Sequence, residues 1–90
     1  MPRKPIDGTL ASEAVNIVTG PRQQAYDHPA DNFARIAGMW SVIFGTAVTP
    51  KQVGLAMVAV KLCREIHSHQ RDNFVDAIGY LLTSDACQED

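Results

Sequence analysis

Charged residues crowd the last third of the chain, Lys61, Arg64, Glu65, Asp72 and Asp76 among them. Lys61 and Arg64 are three apart, which puts both on one helical face, with Glu65 on the neighbouring edge. Asp72 and Asp76, four apart, share a face of the helix that follows. A tight antiparallel turn near Ser68 to Gln70 brings Glu65 towards Asp72, and the cations and carboxylates then line one groove. Such a groove suits a nucleotide polyphosphate. Mg²⁺ takes a few carboxylates and fills its octahedron with phosphate and water. Lys and Arg neutralise the remaining phosphate charge, and a metal-bound hydroxide attacks phosphorus. The competing reading is an inter-helix salt-bridge cluster, for instance Lys61 with Glu65 at i, i+4.

A second cluster is Arg22, Tyr26, Asp27, His28, Asp31 and Asn32. Its plain reading is helix capping, with acid at a positive helix end. Its functional reading is an opposing wall, where Tyr26 stacks on a base and Asn32 hydrogen-bonds it. Cys63 and His67 have the pitch of two metal ligands on one helix, and His69 and Cys87 complete a zinc set on paper. No CxxC or HExxH spacing supports zinc, and a free cysteine in a helix is more often packing. There is no Gly-rich phosphate loop and no GxSxG.

Four helices must position these groups. The first is expected over Thr9 to Val18, with Leu10, Ala14, Ile17 and Val18 as its apolar stripe. Gly20 ends it as a left-handed cap, with Pro21 behind it. The second starts at Pro29 with Asp27 or His28 as cap. It carries Phe33, Ile36, Ala37, Trp40, Ile43 and Phe44 on the helical period and stops at Gly45. Thr49-Pro50-Lys51-Gln52 opens the third with a capping box. That helix is apolar almost all round from Val53 to Val60, so a central, covered position is expected. The fourth spans Arg71 to Thr83, with Phe74, Ile78, Leu81 and Leu82 facing inward. Short connections make neighbours antiparallel. The expected organisation is a flexible arm over 1–8, one all-α domain over 9–83 and a frayed tail over 84–90. The fold class is all-α, a four-helix, bundle-like arrangement completed by oligomerisation.

The composition sets the outer limits. Ninety residues allow one small core. Eight Lys+Arg against ten Asp+Glu give a net charge of −2, which argues against general nucleic-acid binding. Two cysteines build no disulfide framework. The stretch from Leu10 to Thr19 contains Ser12, Glu13 and Asn16, so no secretion signal is expected. The longest apolar run, Val53 to Val60, is far short of the roughly 20 residues of a membrane span. The expected setting is the reducing cytoplasm, with no membrane partner. The apolar third helix predicts a homodimer or higher homo-oligomer.

Three blocks carry a family resemblance. The run from Arg22 through Tyr26, Asp27, His28, Pro29, Asn32, Phe33, Ile36 and Trp40 to Ser41 resembles the R-x-x-x-Y-[G/D]-H-P-x-x-N-F-x-x-I-A-x-x-W-S block of a small actinobacteriophage protein family described as MazG-like. Lys61, Arg64 and Glu65 resemble its K-x-x-R-E block. Asp72, Asn73, Asp76, Gly79 and Tyr80 resemble its D-N-x-x-D-x-x-G-Y block. The likeness covers roughly residues 12 to 83. MazG-like enzymes are helical, oligomeric, Mg²⁺-dependent nucleoside triphosphate pyrophosphohydrolases with an ExxE on one helix and an ExxD on the next. This chain has no ExxE, and Asp72 and Asp76 are spaced by four instead of three.

The resemblance implies a nucleotide-binding protein, with pyrophosphohydrolysis as its catalytic form. Asp72 and Asp76 would hold Mg²⁺, with Glu65 assisting or serving as base; Glu65 and Asp76 would be the catalytic pair. Lys61, Arg64 and Arg22 would bind phosphates, and Tyr26 and Asn32 the nucleoside. Two other readings stand beside it. One is a non-catalytic protein that sequesters a nucleotide or cyclic nucleotide. The other is a phage protein that binds a host factor through its surface.

Overall fold

The computed structural model describes residues 3–20 and 28–87. They form four helices: α1 (Thr9–Thr19), α2 (Pro29–Phe44), α3 (Pro50–His67) and α4 (Arg71–Ala86). No strand occurs among the described residues. None of the helices is long and apolar enough to cross a membrane.

Local chemistry fixes most boundaries. Asp7 accepts hydrogen bonds from the backbone N–H and hydroxyl of Thr9, so an exposed carboxylate opens α1. His28 Nδ1 accepts from Ala30 N–H at 3.0 Å and caps α2, with Pro29 in the first turn. Thr49 and Gln52 exchange both bonds of a capping box at the start of α3, 3.2 and 2.9 Å. Gly45 closes α2 in the left-handed region at φ 67°. Gly20 corrects the expectation of a left-handed cap: it is extended at φ −76°, and its N–H bonds Asn16 O at 2.7 Å. A Cβ on Gly20 would sit 2.3 Å from that carbonyl oxygen, so close approach, not positive φ, favours glycine there.

α4 lies between α1 and α3. Along α3 and α4, Gly54 meets Ser84, Lys61 meets Asp76 and Glu65 meets Asn73. Numbers rise on one helix as they fall on the other, the expected antiparallel hairpin. α1 runs the other way. Its Thr9 and Glu13 bond Arg71 at the start of α4, and its Val18 approaches Gly79 further along. The first and last helices are therefore parallel, because α1 packs on a helix that is not its sequence neighbour.

This sandwiched position corrects the expected inner face of α4. The buried residues are Asn73, Val75, Gly79, Thr83 and Ser84. Phe74, Leu81 and Leu82 are exposed, and Ile78 is half-buried. Two helices pressing on one select small side chains at the contacts. The frayed tail over 84–90 is corrected at its first residues: α4 continues to Ala86, Ser84 is buried, and Cys87 joins the core. That core is Phe33, Ala37, Val53 and Cys87, flanked by Ala30, Ile36, Trp40, Val48 and Tyr80. The apolar third helix is not covered all round by the described residues. Val53 and Gly54 are buried, but Leu55, Val60 and Leu62 are exposed. Ile43 and Phe44 of α2 also face outward.

Candidate functional site

The basic and acidic residues of α3 and α4 do meet, but chiefly as ion pairs and caps. Lys61 points into the α3–α4 contact, and its ammonium lies 2.9 Å from Asp76 Oδ2. The Lys61 side chain is 12% exposed and that of Asp76 37%. Asp76 Oδ1 has no partner among the described residues.

Glu65 is fully engaged. Its Oε1 accepts from Gln70 N–H and Asn73 Nδ2, both at 3.0 Å. Its Oε2 lies 2.5 Å from His69 Nδ1. Gln70 offers no side-chain cap to α4, so Glu65, one turn from the end of α3, supplies the negative group that the N-terminal end of α4 favours. Asn73, then the Gln70 backbone, then His69 hold the Glu65 carboxyl at about 2, below its ordinary 4.5.

That depression has a pH signature. An acid whose folded value is lowered adds stability that is fully present above its unfolded value and lost as pH falls through the folded one. Glu65 therefore contributes above about pH 4.5, and its contribution drains away between there and about pH 2. Urea midpoints measured down the acid range should fall more steeply in the wild type than in Glu65→Gln. Parallel curves would show that the carboxylate does not cap α4.

The remaining expected site residues separate. Arg64 lies on the exposed side of α3, beside a groove of about 730 Å³ that Cys63, His67 and Asn73 also line. Asp76 lines a different cleft, of about 200 Å³, between α1, the start of α2 and α4. The two linings share no residue. Lys61 and Arg64 diverge because three helical steps turn one into the helix contact and leave the other outside. Asp72 is exposed, one turn before Asp76 and outside the cleft lining. Asn32 is exposed on α2 and also outside it. Arg22, Tyr26 and Asp27 lie outside the described residues.

The acidic groups do not fit a resident Mg²⁺. Glu65 is taken by three donors, Asp76 by Lys61, and Asp72 stands apart. No group of three or more His, Cys, Asp or Glu among the described residues is placed to share a metal ion. Cys63 is exposed on α3 whereas Cys87 is buried against Phe33, so the paper zinc set does not assemble either.

What does assemble is the Asp76 cleft. Phe33 and Tyr80 belong to its wall, their ring centroids 6.2 Å apart, along with Pro29, Val18 and Thr83. A second cleft of about 250 Å³ adjoins it, sharing Val18, Pro29 and Thr83 and adding His28 and Leu82. Tyr80 is the residue that the chemistry-first reading passed over. Its signal was present: it follows Asp76 by four, on the same helical face.

With that geometry in hand, the chain can be placed. Residues 9–88 match the family described as a domain of unknown function (DUF6378), and the chain belongs to that family. It is similar to the Gene 55 protein of Mycobacterium phage L5, 31% identical over 74 residues, which are 80% of this chain and 47% of that protein. It is also similar to the Gene 55 protein of Mycobacterium phage D29, 30% identical over 73 residues, 80% of this chain and 48% of that protein. The chain spans about half the length of these curated relatives. No solved structure matches it.

Proposed function

We propose that this chain is a phage-type nucleotide-binding module that holds its ligand without hydrolysing it, in the cleft between α1, the start of α2 and α4. The observation that carries the reading is the state of Asp76. One of its oxygens is neutralised by Lys61, and the other has no partner among the described residues at the edge of an aromatic and aliphatic cleft. A carboxylate held in this way accepts hydrogen bonds from the amino, ring N–H or hydroxyl groups of a nucleoside, while Phe33 and Tyr80 offer apolar and aromatic surface. Together the adjoining clefts approach the roughly 300 to 1,000 Å³ of small-molecule sites. The MazG-like sequence blocks support a nucleotide as the class of guest. The engaged carboxylates favour binding over pyrophosphohydrolysis.

Calorimetric titration with nucleoside mono- and triphosphates and cyclic nucleotides, with and without Mg²⁺, tests this. Binding that needs no Mg²⁺ and releases no pyrophosphate is expected. Asp76→Asn should weaken it by about tenfold, the equivalent of one charge-assisted hydrogen bond. Pyrophosphate release would overturn the non-catalytic reading, and the absence of binding by every nucleotide would overturn the site.

A further inference from the structure

The outer side of α3 carries an apolar stripe that none of the described residues covers. Leu55, Ala59, Leu62 and Ile66 are all exposed, Ile66 to 86%. Their spacings of four, three and four are those of a coiled-coil seam, with Leu55 and Leu62 at one core position and Ala59 and Ile66 at the other. The rest of the chain packs elsewhere on this helix, through buried Val53 and Gly54 and half-buried Lys61 and Glu65. The stripe is thus turned away from the protein's own core.

We propose that this stripe pairs with the same stripe of a second copy of the chain, antiparallel, about a two-fold axis passing between Val60 and Lys61. Symmetry and side-chain volume select that partner and that direction. An isologous contact requires a surface complementary to itself. Turned about that axis, Leu55 faces Ile66 of the second copy and Ala59 faces its Leu62, so every seam residue meets another. Each layer beside the axis then sets a small side chain against a large one, which fills space evenly. A parallel pairing would stack Ala59 on Ala59 and leave a thin layer between two thick ones.

The exposure is considerable for one face. Leu55 is 47% exposed, Leu62 53% and Ile66 86%, and a standard dimer interface removes about 800 Å² from each partner, so the stripe and the residues flanking it, Val60 among them at 40%, would form the centre of such a contact.

Light scattering at micromolar concentration should give the mass of a dimer for the wild type. Leu62→Glu should give a monomer that keeps its helical circular dichroism, since Leu62 is 53% exposed in the single chain and is not a member of its core. A spin label on Lys51→Cys, in a Cys63→Ser background, reads the direction. The antiparallel seam places the two labels about 30 Å apart, at 1.5 Å rise per residue, and a parallel one about 10 Å. A monomeric wild type, a Leu62→Glu protein that remains dimeric, or the short label distance would each overturn the pairing. So would a monomer that uses this stripe to bind a different polypeptide.

Discussion

Gly54→Ala should destabilise the domain by about 2 kcal/mol, although alanine is the better helix former. A Cβ at this position would lie 1.7 Å from Ser84 Oγ, 3.0 Å from Ser84 Cβ and 2.8 Å from Phe33 Cε2. Neither neighbour yields freely. The Ser84 hydroxyl bonds Tyr80 O at 2.8 Å, and Phe33 is a buried member of the core. Overpacking of this kind costs roughly 1 to 3 kcal/mol, and two neighbouring atoms closer than 3.0 Å place Gly54→Ala at the upper end, about 3 kcal/mol. The gain in helix propensity offsets about 1 kcal/mol of it. For a domain whose whole stability is about 5 to 13 kcal/mol, the net loss is large. Urea denaturation measures it. Adding Ser84→Ala to Gly54→Ala should recover part of the loss, because it removes the nearest atom, and the pair should be non-additive. An unchanged midpoint in Gly54→Ala would mean that α3 and α4 are further apart than described.

That contact also shows where the sequence stops being legible. Helix starts and stops are local chemistry, so the capping box at Thr49 and Gln52, the proline at position 29 and the glycine at position 45 could be read directly. Which side of a helix faces inward is not local. Phe74, Leu81 and Leu82 look like an inner face on hydrophobicity alone, yet α4 is gripped by two helices through Gly79, Thr83 and Ser84. Small residues carry almost no periodic hydrophobic signal, so the pattern that matters most for α4 is the one least visible in the chain. The apolar all-round character of α3 was visible, but its meaning was not. It marks one face that packs within the chain and another that none of the described residues covers.

The site was legible to a similar depth. Spacing gathers Lys61, Arg64, Glu65, Asp72 and Asp76 at one groove, with Glu65 towards Asp72; in the fold Lys61 pairs with Asp76, and Glu65 bonds Gln70 and Asn73. Spacing does not say what two close groups do once they meet. Glu65 became a cap because Gln70, the residue before α4, makes no side-chain cap bond of its own to the helix end. Asp76 became the ion-pair partner of Lys61, whose side chain is only 12% exposed at the α3–α4 contact. Arg64, one turn on, reaches solvent and so leaves the cluster. Asn32 and Phe33 are sequence neighbours in the same block, but only Phe33 turns towards the cleft.

The Lys61–Asp76 pair should give an asymmetric double-mutant cycle. Asp76→Asn leaves an ammonium in a site where the lysine side chain is only 12% exposed. Lys61→Met leaves a carboxylate that is 37% exposed and reaches water. Breaking a fully buried pair costs about 3 to 5 kcal/mol, and an exposed pair is worth about 0 to 1. A half-buried pair falls between them, so Asp76→Asn should cost about 2 kcal/mol and Lys61→Met about 1. The Lys61→Met/Asp76→Leu protein should be nearly as stable as the wild type, because an apolar contact replaces an ionic one without stranding either charge. Urea denaturation at neutral pH gives all the stabilities. Calorimetry on the same proteins separates folding from binding. The double variant stays folded yet has lost the Asp76 carboxylate, so nucleotide binding should fall with it. Equal costs for the two single variants would show that burial does not decide the pair. Wild-type affinity in the double variant would free the ligand from Asp76 altogether.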